Sequence, residues 1–422
     1  MAQPLEGIKV VEMTVAIQGP AAGLYLAEMG AEVIKIEPPA GDSNRYHRGN
    51  NYQKPDSAPG SQFIAMNRGK RSLPIDVHHP LGQKALMNLL ADADVFLSNY
   101  RDAALVRMGL DYESLHAKHP QLIYATVNGF GPKGPDADKA MLDGAAQARG
   151  GILSMTGDPD GPRMMSGAPI ADTAGAMQLA LATMTALFAR ERHGVGQRVQ
   201  TSALGTQLWL QMWELQHRAI TDTVIRPAGR FHDNMRGPYG VYETADGGWI
   251  MFAACMMDEA WDEMCIFGEH PEAILLPGCS TPGQRLGAHG PELAEAEEVR
   301  RVMEDMFKGK TTQEWCDFLY SQSEIVWERV RDHGDVLTDP QNIANGYLSE
   351  IDIPEVGRHK AVGQLIKFSE TPPGPLQPPP ALGEGAEQTL VQAGLTTVEA
   401  EELIAHTTSL REEIFAQLMG ED

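Results

Sequence analysis

The spacing of the first apolar segments constrains the fold more than any other feature of the sequence. Ile8–Val15 is a short apolar run, Gly19-Pro20 marks a turn, Ala21–Met29 has a helical pattern, and Glu32–Glu37 is a second apolar run. A strand, a crossover helix and another strand at this spacing predict a βαβ unit. The chain is therefore expected to have an α/β fold built on a parallel sheet.

The same alternation continues through the first two hundred residues. It predicts a helix, two strands and a long helix, in this order: Leu81–Asp92, Val95–Asn99, Gln121–Asn128, and the stretch from Asp172 to about Arg192. Gly194 and Gly196 follow the long helix and are typical of a helix stop.

The sequence pattern changes between about residues 226 and 330, and this change predicts a second, smaller α+β domain. Tyr239–Thr244 and Trp249–Ala254 flank Asp246-Gly247-Gly248 and predict a hairpin. Two acidic helical segments follow at Met257–Phe267 and Glu292–Lys308. The predicted divisions are 1–225, 226–330 and 331–422, and the last of them contains a proline-rich linker at 372–380.

Net charge and cysteine spacing limit the class of partner. A formal charge of −23 opposes binding to nucleic acid or to anionic lipid, because both require a basic surface. The sequence has no run of eighteen apolar residues and no secretory signal pattern at its start, so no membrane span is expected. The four cysteines have irregular spacing, which disfavours disulfides or a zinc site and favours a reducing cytoplasm.

Several common site signatures are missing. A nicotinamide-dependent enzyme would carry GxGxxG after the first strand, but here Gly19 is followed by Pro20, where the backbone must approach a pyrophosphate closely. Neither a Walker A loop nor a GxSxG nucleophile elbow is present. His78 and His79 would point to opposite faces of a strand, so they are interpreted as surface residues rather than metal ligands.

Three cations and a glycine fall within four positions of the segment Asn67-Arg68-Gly69-Lys70-Arg71-Ser72. Arginine forks and a lysine charge at this spacing can bind phosphates. The same segment can equally be a solvated turn whose cations balance nearby carboxylates, and the residues alone leave both interpretations open. Further candidates in the same half of the chain are Arg45, Arg48, Arg101 and Arg107.

Asp172 lies directly before the apolar part of the long helix, after Pro169. It can be the helix N-cap, whose carboxylate accepts backbone N–H bonds, and from the residues alone this is the default interpretation. It can also be a nucleophile, because the helix dipole favours an ionised carboxylate and free N–H groups could stabilise a developing oxyanion. Met164 and Met165, just upstream, can line an acyl pocket or fill the core, and core filling is the favoured interpretation for methionine.

Several segments together resemble the class III CoA-transferases, the family of formyl-CoA:oxalate and carnitine CoA-transferases. The likeness covers nearly the whole chain and depends on the order and spacing of the segments, none of which is specific alone. They are Leu5–Val10, Gly30–Pro39, Asn67–Ser72, Arg107–Leu110, Tyr124 with Gly129–Gly131, Gln147–Gly151, Thr156-Gly157 and Gly194–Val199.

The resemblance implies that Asp172 is the catalytic residue of a covalent, ping-pong reaction. Asp172 would attack a donor thioester to give a mixed anhydride and free CoA thiolate, and the thiolate would then form a thioester on Asp172. An acceptor carboxylate would take the CoA through the corresponding reverse steps. Coenzyme A is thus expected as an acyl-CoA substrate, with a carboxylic acid as its acceptor and no metal.

The resemblance also implies the fold, the CoA site and the assembly. Both chain ends would form a Rossmann-like large domain, to which 331–422 returns, and two chains would interlock as a homodimer. The residues that match family positions near CoA are Pro38, Arg45, Arg68, Lys70, Arg71 and Arg107. The candidate substrate contacts are Gln18, Leu142 and Asp143.

A few positions depart from related enzymes and bear on the substrate. Leu142 replaces the histidine that α-methylacyl-CoA racemases carry in a Gly-His-Asp stretch, so a two-base racemase reaction lacks one base. Oxalate enzymes carry a tyrosine at this position and a glutamine at that of Ile17, with Gln18 next here. They also have a glycine-rich lid, which is missing near Arg226–Gly237. The acceptor is therefore expected to be less polar or larger than oxalate.

Three functions remain open. The favoured one is intermolecular CoA transfer from an acyl-CoA to a free carboxylic acid. The second is an isomerase-type reaction, by intramolecular CoA transfer or racemisation, and Leu142 disfavours the racemase. The third is a non-catalytic CoA-binding protein, which the presence of Asp172 with Thr173 and Gly175 disfavours. Asp143 can orient Asp172 or a substrate, or it can cap a helix.

Overall fold

Six strands form a parallel sheet in the first part of the chain, and four of them lie on the predicted strand segments. In the computed structural model, which describes residues 2–50, 52–55, 57–286 and 293–419, they are β1 (Lys9–Met13), β2 (Glu32–Glu37), β3 (Arg71–Pro74), β4 (Val95–Ser98), β5 (Ile123–Asn128) and β6 (Arg198–Ser202). They pair in parallel in the order β3-β2-β1-β4-β5-β6. The predicted α/β class and its βαβ start are confirmed.

Helices cover both faces of this sheet, because the strands are apolar on both sides. They are α1 (Gln18–Glu28), α2 (Ser61–Met66), α3 (Pro80–Ala91), α4 (Asp102–Arg107), α5 (Tyr112–Lys118), α6 (Asp143–Gly150), α7 (Ile170–His193) and α8 (Ala203–Leu210). On one face, Leu26 of α1 and Leu179 of α7 pack with Leu97 of β4 in a single core cluster. None of the described helices is both long and apolar enough to cross a membrane.

A second group of elements contains an antiparallel sheet. Its members are α9 (Met212–Thr221), β7 (Phe231–His232), β8 (Met235–Glu243), β9 (Trp249–Cys255), α10 (Asp258–Phe267), α11 (Pro282–Arg285), α12 (Leu293–Lys308), α13 (Thr312–Tyr320) and β10 (Ile325–Arg329). The strands lie in the order β10-β9-β8-β7. The predicted hairpin is the β8–β9 pair, whose turn uses the positive φ of Gly247. Glu292, the predicted start of an acidic helix, lies outside the described residues.

The C-terminal segment adds four helices and a hairpin in its described part. They are α14 (His333–Thr338), α15 (Pro340–Ala344), β11 (Leu348–Ile353), β12 (Gly357–Val362), α16 (Ala386–Gln392) and α17 (Thr397–Met419). Leu390 of α16 and Leu403 of α17 pack with Phe96 of β4 in one core cluster. The C-terminal helices therefore cover the face of the parallel sheet that α1 and α7 leave open.

The chain divides into two compact units. The first comprises Met1–Gly150, Ala168–Leu210 and Leu337–Asp422, and the second comprises Gly151–Gly167 and Gln211–Val336. The predicted division near residue 226 lies after the observed boundary between Leu210 and Gln211. The predicted division near residue 330 lies before the observed boundary between Val336 and Leu337. The first boundary has no compositional signal because α9 begins almost directly after α8 ends. The assignment of 151–167 to the second unit was also not predicted.

Candidate active site

The order of the parallel strands reverses direction between β1 and β4, which lie side by side in the sheet. Such a point leaves a crevice at the carboxyl ends of the strands, where open α/β sheets bind ligands. A cleft of about 210 Å³ lies there. Its walls come from the segments after β1, β4 and β5 and from the start of α7, namely Ala16–Gln18, Asn99–Asp102, Val127–Gly129, Pro132, Ala137–Leu142 and Asp172.

Asp172 lies in the first turn of α7, and its half-buried carboxylate lines the cleft. No described residue donates a hydrogen bond to this carboxylate or forms an ion pair with it. Burial, and then the negative charge of nearby Asp143, raise the pKa of Asp172 to about 6. The group is therefore mostly ionised at neutral pH but poorly solvated, and these are the properties of a nucleophile.

Asp143, not Asp172, caps the long helix. The N-cap position of α7 is Pro169, which has no capping side chain. Instead, Oδ1 of Asp143 accepts hydrogen bonds from the backbone N–H groups of Ala171 at 2.7 Å and of Asp172 at 3.2 Å. Gln147 donates from Nε2 to the other oxygen of Asp143 at 2.5 Å. The N-cap interpretation of Asp172 is therefore wrong.

The same contacts correct the expected oxyanion site. We expected free N–H groups at the start of α7 to stabilise a developing oxyanion. The N–H groups of Ala171 and Asp172 are occupied by Asp143, and those of Ile170 and Thr173 donate to the carbonyl oxygens of Ala168 and Pro169. The first turn of α7 thus has no free donor, because a carboxylate from α6 has taken the place of an anionic ligand.

Gln18 supplies a donor that the helix does not. It is the first residue of α1, only 5% exposed, and it lines the cleft. Its side-chain nitrogen Nε2 is buried and has no hydrogen-bond partner among the described residues. This nitrogen lies against the face of α7 that carries Asp172, because it is 1.9 Å from the position that a Cβ atom on Gly175 would take. Gly175 and Asp172 are one helical turn apart and share that face.

The cleft also contains two cations that the sequence prediction did not assign to it. Neither Arg101 nor Lys139 has an ion pair with any described residue, and the ammonium of Lys139 lies 5.6 Å from the centroid of the Phe130 ring. Leu142 lies at the same cleft and is 78% exposed. The available signal was the position of Arg101 two residues after the predicted strand Val95–Asn99, since carboxyl ends of parallel strands carry the ligand sites.

Two residues of the predicted phosphate site have buried charges that are already paired. Nζ of Lys70 is 2.8 Å from Oε2 of Glu12, and burial lowers the pKa of Lys70 to about 8 against the attraction of that carboxylate. Arg45 donates to both carboxylate oxygens of Glu37, from Nε and Nη2 at 2.8 Å. Both cations are buried, at 5% exposure. The structure therefore separates Arg45 and Lys70 from solvent.

Of the remaining predicted CoA contacts, Arg68 is equally buried, at 5% exposure, whereas Pro38, Arg71 and Arg107 lie nearer to the surface. Arg68 is paired with Glu28 at 2.7 Å, and the half-buried Arg71 is paired with Glu32 at 2.6 Å. Pro38 and Arg107 are exposed, and Arg107 has no ion pair with any described residue. The assignment of these six residues to CoA stays a prediction. The structure brings together the other predicted set, because Gln18, Leu142 and Asp172 line one cleft and Asp143 bonds to the backbone of Asp172.

The methionines upstream of α7 do not fill the core. Met164 and Met165 are both exposed, at 51% and 64%. The expectation that they pack in the interior is therefore wrong. The sequence did not reveal this because methionine is compatible with both environments. Among the described residues, no cluster of histidine, cysteine and carboxylate side chains could hold a metal ion.

The raised pKa of Asp172 predicts a pH-dependent stability. The folded-state pKa of about 6 exceeds the ordinary value of 3.8, so the cost of ionising Asp172 in the fold is absent below about pH 3.8 and fully present above about pH 6. Asp172→Asn removes this titration. As the pH rises from about 4 to about 7, the wild type should lose stability relative to this variant. We expect the difference between their free energies of unfolding, variant minus wild type, to grow by on the order of 2 kcal/mol. Urea unfolding at several pH values measures this, and a gap that shrinks as pH rises would contradict it.

Comparisons with known proteins match nearly the whole chain. The profile of CoA-transferase family III matches residues 5–386. The chain is similar to a succinate–glutarate CoA-transferase of Agrobacterium fabrum, with 32% identity over 405 residues that cover 94% of this chain and 96% of that protein. It is also similar to a succinyl-CoA–D-citramalate CoA-transferase of Chloroflexus aurantiacus, with 31% identity and 90% and 92% covered. Its structure resembles a crystal structure of a CaiB/BaiF family protein from Brucella suis, with a TM-score of 0.80, 27% identity and 93% and 100% covered.

Proposed function

The chain belongs to CoA-transferase family III, and we propose that it moves coenzyme A from an acyl-CoA to a free carboxylic acid through covalent intermediates on Asp172. The family resemblance predicted from the sequence is confirmed by the family match, and so is the enzyme class. The observation that carries the proposed mechanism is the carboxylate of Asp172, unpaired and half-buried in the cleft. With a pKa of about 6 it is ionised near neutral pH and needs no separate base.

The first half of the proposed reaction loads CoA onto the enzyme. A carboxylate oxygen of Asp172 attacks the thioester carbon of the donor, and the carbon–sulfur bond breaks to release CoA thiolate. This leaves a mixed anhydride between Asp172 and the donor acid. The thiolate then attacks the carbonyl carbon of Asp172 and expels the donor as its carboxylate. CoA is now held as a thioester on Asp172.

The second half runs these two steps in the reverse order, with the acceptor in place of the donor acid. The acceptor carboxylate attacks the carbonyl carbon of Asp172 and expels CoA thiolate, which gives a second anhydride. The thiolate attacks the acyl carbon of the acceptor, and Asp172 leaves as a free carboxylate. No proton or electron is gained or lost over the cycle. Each step forms a tetrahedral oxyanion, on the acyl carbon in the first and last steps and on the side-chain carbon of Asp172 in the two steps between. A hydrogen-bond donor to the oxyanion on Asp172 would therefore lower the barriers of those two middle steps.

Gln18 is the proposed donor to that oxyanion. Its buried Nε2 has no partner in the described structure and lies against the same face of α7 as the nucleophile. The backbone N–H groups of Ala171 and Asp172 are bonded to Asp143, so they are not available for this role. Asp143 is proposed to orient α7 and the backbone of Asp172, and its charge adds to the effect of burial in raising the pKa of Asp172.

The part of CoA that lies away from the reacting sulfur is proposed to bind beside the cleft, in the first unit. Among the predicted contacts, Arg107 and Pro38 are best placed because both are exposed and Arg107 has no carboxylate partner among the described residues. Arg101 and Lys139 add positive charge at the cleft itself. In a chain of net charge −23, these local cations provide the attraction that an anionic acid or the CoA phosphates need.

The proposed donor is succinyl-CoA, and the proposed acceptor is a dicarboxylic acid larger than oxalate. The support comes from the relatives, which are a succinate–glutarate, a succinyl-CoA–D-citramalate and a succinyl-CoA:mesaconate CoA-transferase. Leu142 supports the larger acceptor because it places an apolar side chain at the cleft.

The first test is the mass of the intact protein after mixing with acetyl-, succinyl-, butyryl- and a branched acyl-CoA. A hydroxylamine-sensitive adduct that forms on the wild type and not on Asp172→Ala supports covalent transfer and identifies the donor. Binding of CoA without any adduct would contradict the proposal and favour the isomerase or the non-catalytic CoA-binding protein.

We also propose that the chain is an interlocked homodimer, in a cytoplasmic location. Leu181 and Phe188, one heptad apart on α7, are each 62% exposed, and such an apolar stripe is typical of a subunit interface. The four cysteines are free and buried, which suits a reducing compartment.

If two chains associate through this face of α7, negative charges placed on it should prevent the homodimer from forming. The variant carrying Leu181→Glu and Phe188→Glu is expected to elute at the mass of one 45.9 kDa chain, whereas the wild type has twice that mass by light scattering. Val398→Glu, which changes an exposed apolar residue on α17, is the control and should not alter the mass. A monomeric wild type would contradict the proposed dimer.

A further inference from the structure

A buried ionic cluster lies below the segment that carries Gln18. Glu12 of β1 and Lys35 of β2 are directly opposite each other in the register of the parallel strands, and both are fully buried. Nζ of Lys35 is 3.2 Å from Oε1 of Glu12, and Nζ of Lys70 is 2.8 Å from Oε2 of the same carboxylate. Asp42 pairs with Lys35 at 3.0 Å. Two cations and two carboxylates thus neutralise each other's charge in the interior, where they are shielded from water.

Burying such charges is costly, so their contacts indicate what they do. Besides the carboxylates, each lysine donates to one backbone carbonyl, Lys35 to one in the segment that follows β1 and Lys70 to one in the first turn of α1. Nζ of Lys35 donates to the carbonyl oxygen of Thr14, and Nζ of Lys70 donates to that of Pro20, both at 2.7 Å. These two carbonyls mark the ends of the segment 14–20, and Gln18 lies within it.

Polar side chains hold the middle of the segment in the same way. Nδ2 of Asn44 donates to the carbonyl oxygen of Ala16 at 2.7 Å, and Asn99 bonds to both backbone groups of Val15. Ala16 has a φ of 66°, a left-handed conformation that costs a non-glycine residue energy and persists only where its surroundings enforce it. The backbone next to Gln18 is therefore held in a strained shape by side chains from four other segments.

The start of α1 is also packed closely onto the cluster. A Cβ atom on Gly23 would lie 1.8 Å from Oε2 of Glu12, and one on Gly19 would lie 2.6 Å from the side chain of Thr14. The glycines let the helix approach the cluster closely. Since Gln18 is the first residue of α1, the height and rotation of this helix set the position of its amide.

We propose that Glu12, Lys35 and Lys70 are positioning residues of the reaction, which fix the segment 14–20 so that Gln18 presents its amide to the oxyanion formed on Asp172. This inference rests on the proposed function. It assigns to Lys70 a role different from the phosphate contact that the sequence predicted. A displacement of about 1 Å at a reacting centre is enough to lower a rate by about a hundredfold.

The test separates positioning from CoA binding. The variants are Lys70→Met, which removes the donor to Pro20, and Asn44→Ala, which removes the donor to Ala16 and leaves the ionic cluster intact. For each one, the rate of adduct formation from succinyl-CoA is measured by quenched-flow mass spectrometry, and the Kd of free CoA is measured by calorimetry. We expect the rate to fall by about tenfold to a hundredfold while the Kd changes by less than about threefold.

A double variant and a control exclude a merely structural role. Glu12→Gln combined with Lys70→Met removes a cation and an anion together, so it should regain thermal stability relative to Lys70→Met but not the rate. Arg190→Met is the control, because Arg190 also pairs with a carboxylate, Asp94, and a carbonyl, that of Gln121, but at the amino ends of the strands. It should lose stability and keep the rate per folded molecule.

The outcomes are distinct. A Kd for CoA that weakens by about tenfold in Lys70→Met would overturn the inference and restore the phosphate contact. A rate within about threefold of the wild type in Lys70→Met or Asn44→Ala, or a rate that recovers with stability in the double variant, would overturn it as well. A wild type that forms no adduct with any of the four donors contradicts the proposed function itself, and the inference falls with it.

Discussion

Replacing Asp172 by alanine is expected to lower kcat for CoA transfer by about 10⁴-fold or more, because every covalent intermediate of the proposed cycle is attached to that carboxylate. Its Kd for free CoA should change little, since no step of CoA binding requires the carboxylate. Asp172→Asn is the matched variant: it keeps the size of the side chain and removes only the nucleophilic charge.

Steady-state transfer from succinyl-CoA to glutarate, followed by chromatography of the two thioesters, measures this loss. If a different donor labels the wild type, that donor replaces succinyl-CoA. Activity in Asp172→Asn above about one hundredth of the wild type would contradict a covalent role for Asp172. A loss of CoA binding in both variants would instead indicate that the substitutions disturb the cleft as a whole.

Replacing Gln18 by alanine is expected to lower kcat by about 10²-fold to 10³-fold, the usual cost of losing one oxyanion donor. Gly175→Ala offers an independent way to remove the same donor. Its new Cβ atom would lie 1.9 Å from Nε2 of Gln18, so the amide must move away. Because the displaced group is the end of a flexible side chain, the fold should survive this substitution.

The double variant decides whether the two substitutions act through one group. If the amide of Gln18 is what Gly175→Ala displaces, then the combined variant should be no slower than Gln18→Ala alone, and the double-mutant cycle should show a large coupling energy. Rate losses that multiply would mean that Gly175 acts on the site in another way. A kcat of Gln18→Ala within about threefold of the wild type would contradict the oxyanion role.

The two largest predictions depend on different kinds of evidence. Asp172 was identified in the sequence, by its place before the long helix and by the family segments around it. Gln18 was identified there only as a candidate substrate contact. Its proposed role as an oxyanion donor comes from the three-dimensional contacts. In the described part of the chain, the helix donors are taken and the buried nitrogen Nε2 of Gln18 has no partner.

The sequence by itself determined the parallel sheet, its strands β1, β2, β4 and β5, and the position of Asp172 at the start of the long helix. Glu32–Glu37 was predicted with the observed bounds, and the long helix within two residues of its observed ends. These features follow from the period of apolar residues and from turn-forming residues, which act over short distances along the chain. The family resemblance then supplied the class of enzyme.

Only the tertiary structure decided which charges meet. Asp143 bonds to the N–H groups of residues 28 and 29 positions later, and Lys70 pairs with a carboxylate 58 positions earlier. Such pairs depend on which strands become neighbours in the sheet and in what register, as the alignment of Glu12 with Lys35 shows. The periodicity of apolar residues along the chain carries no information on which strands become neighbours or in what register. The segment around Lys70 could therefore be read from the sequence as a phosphate site, although its lysine lies in the interior and holds the backbone beside Gln18.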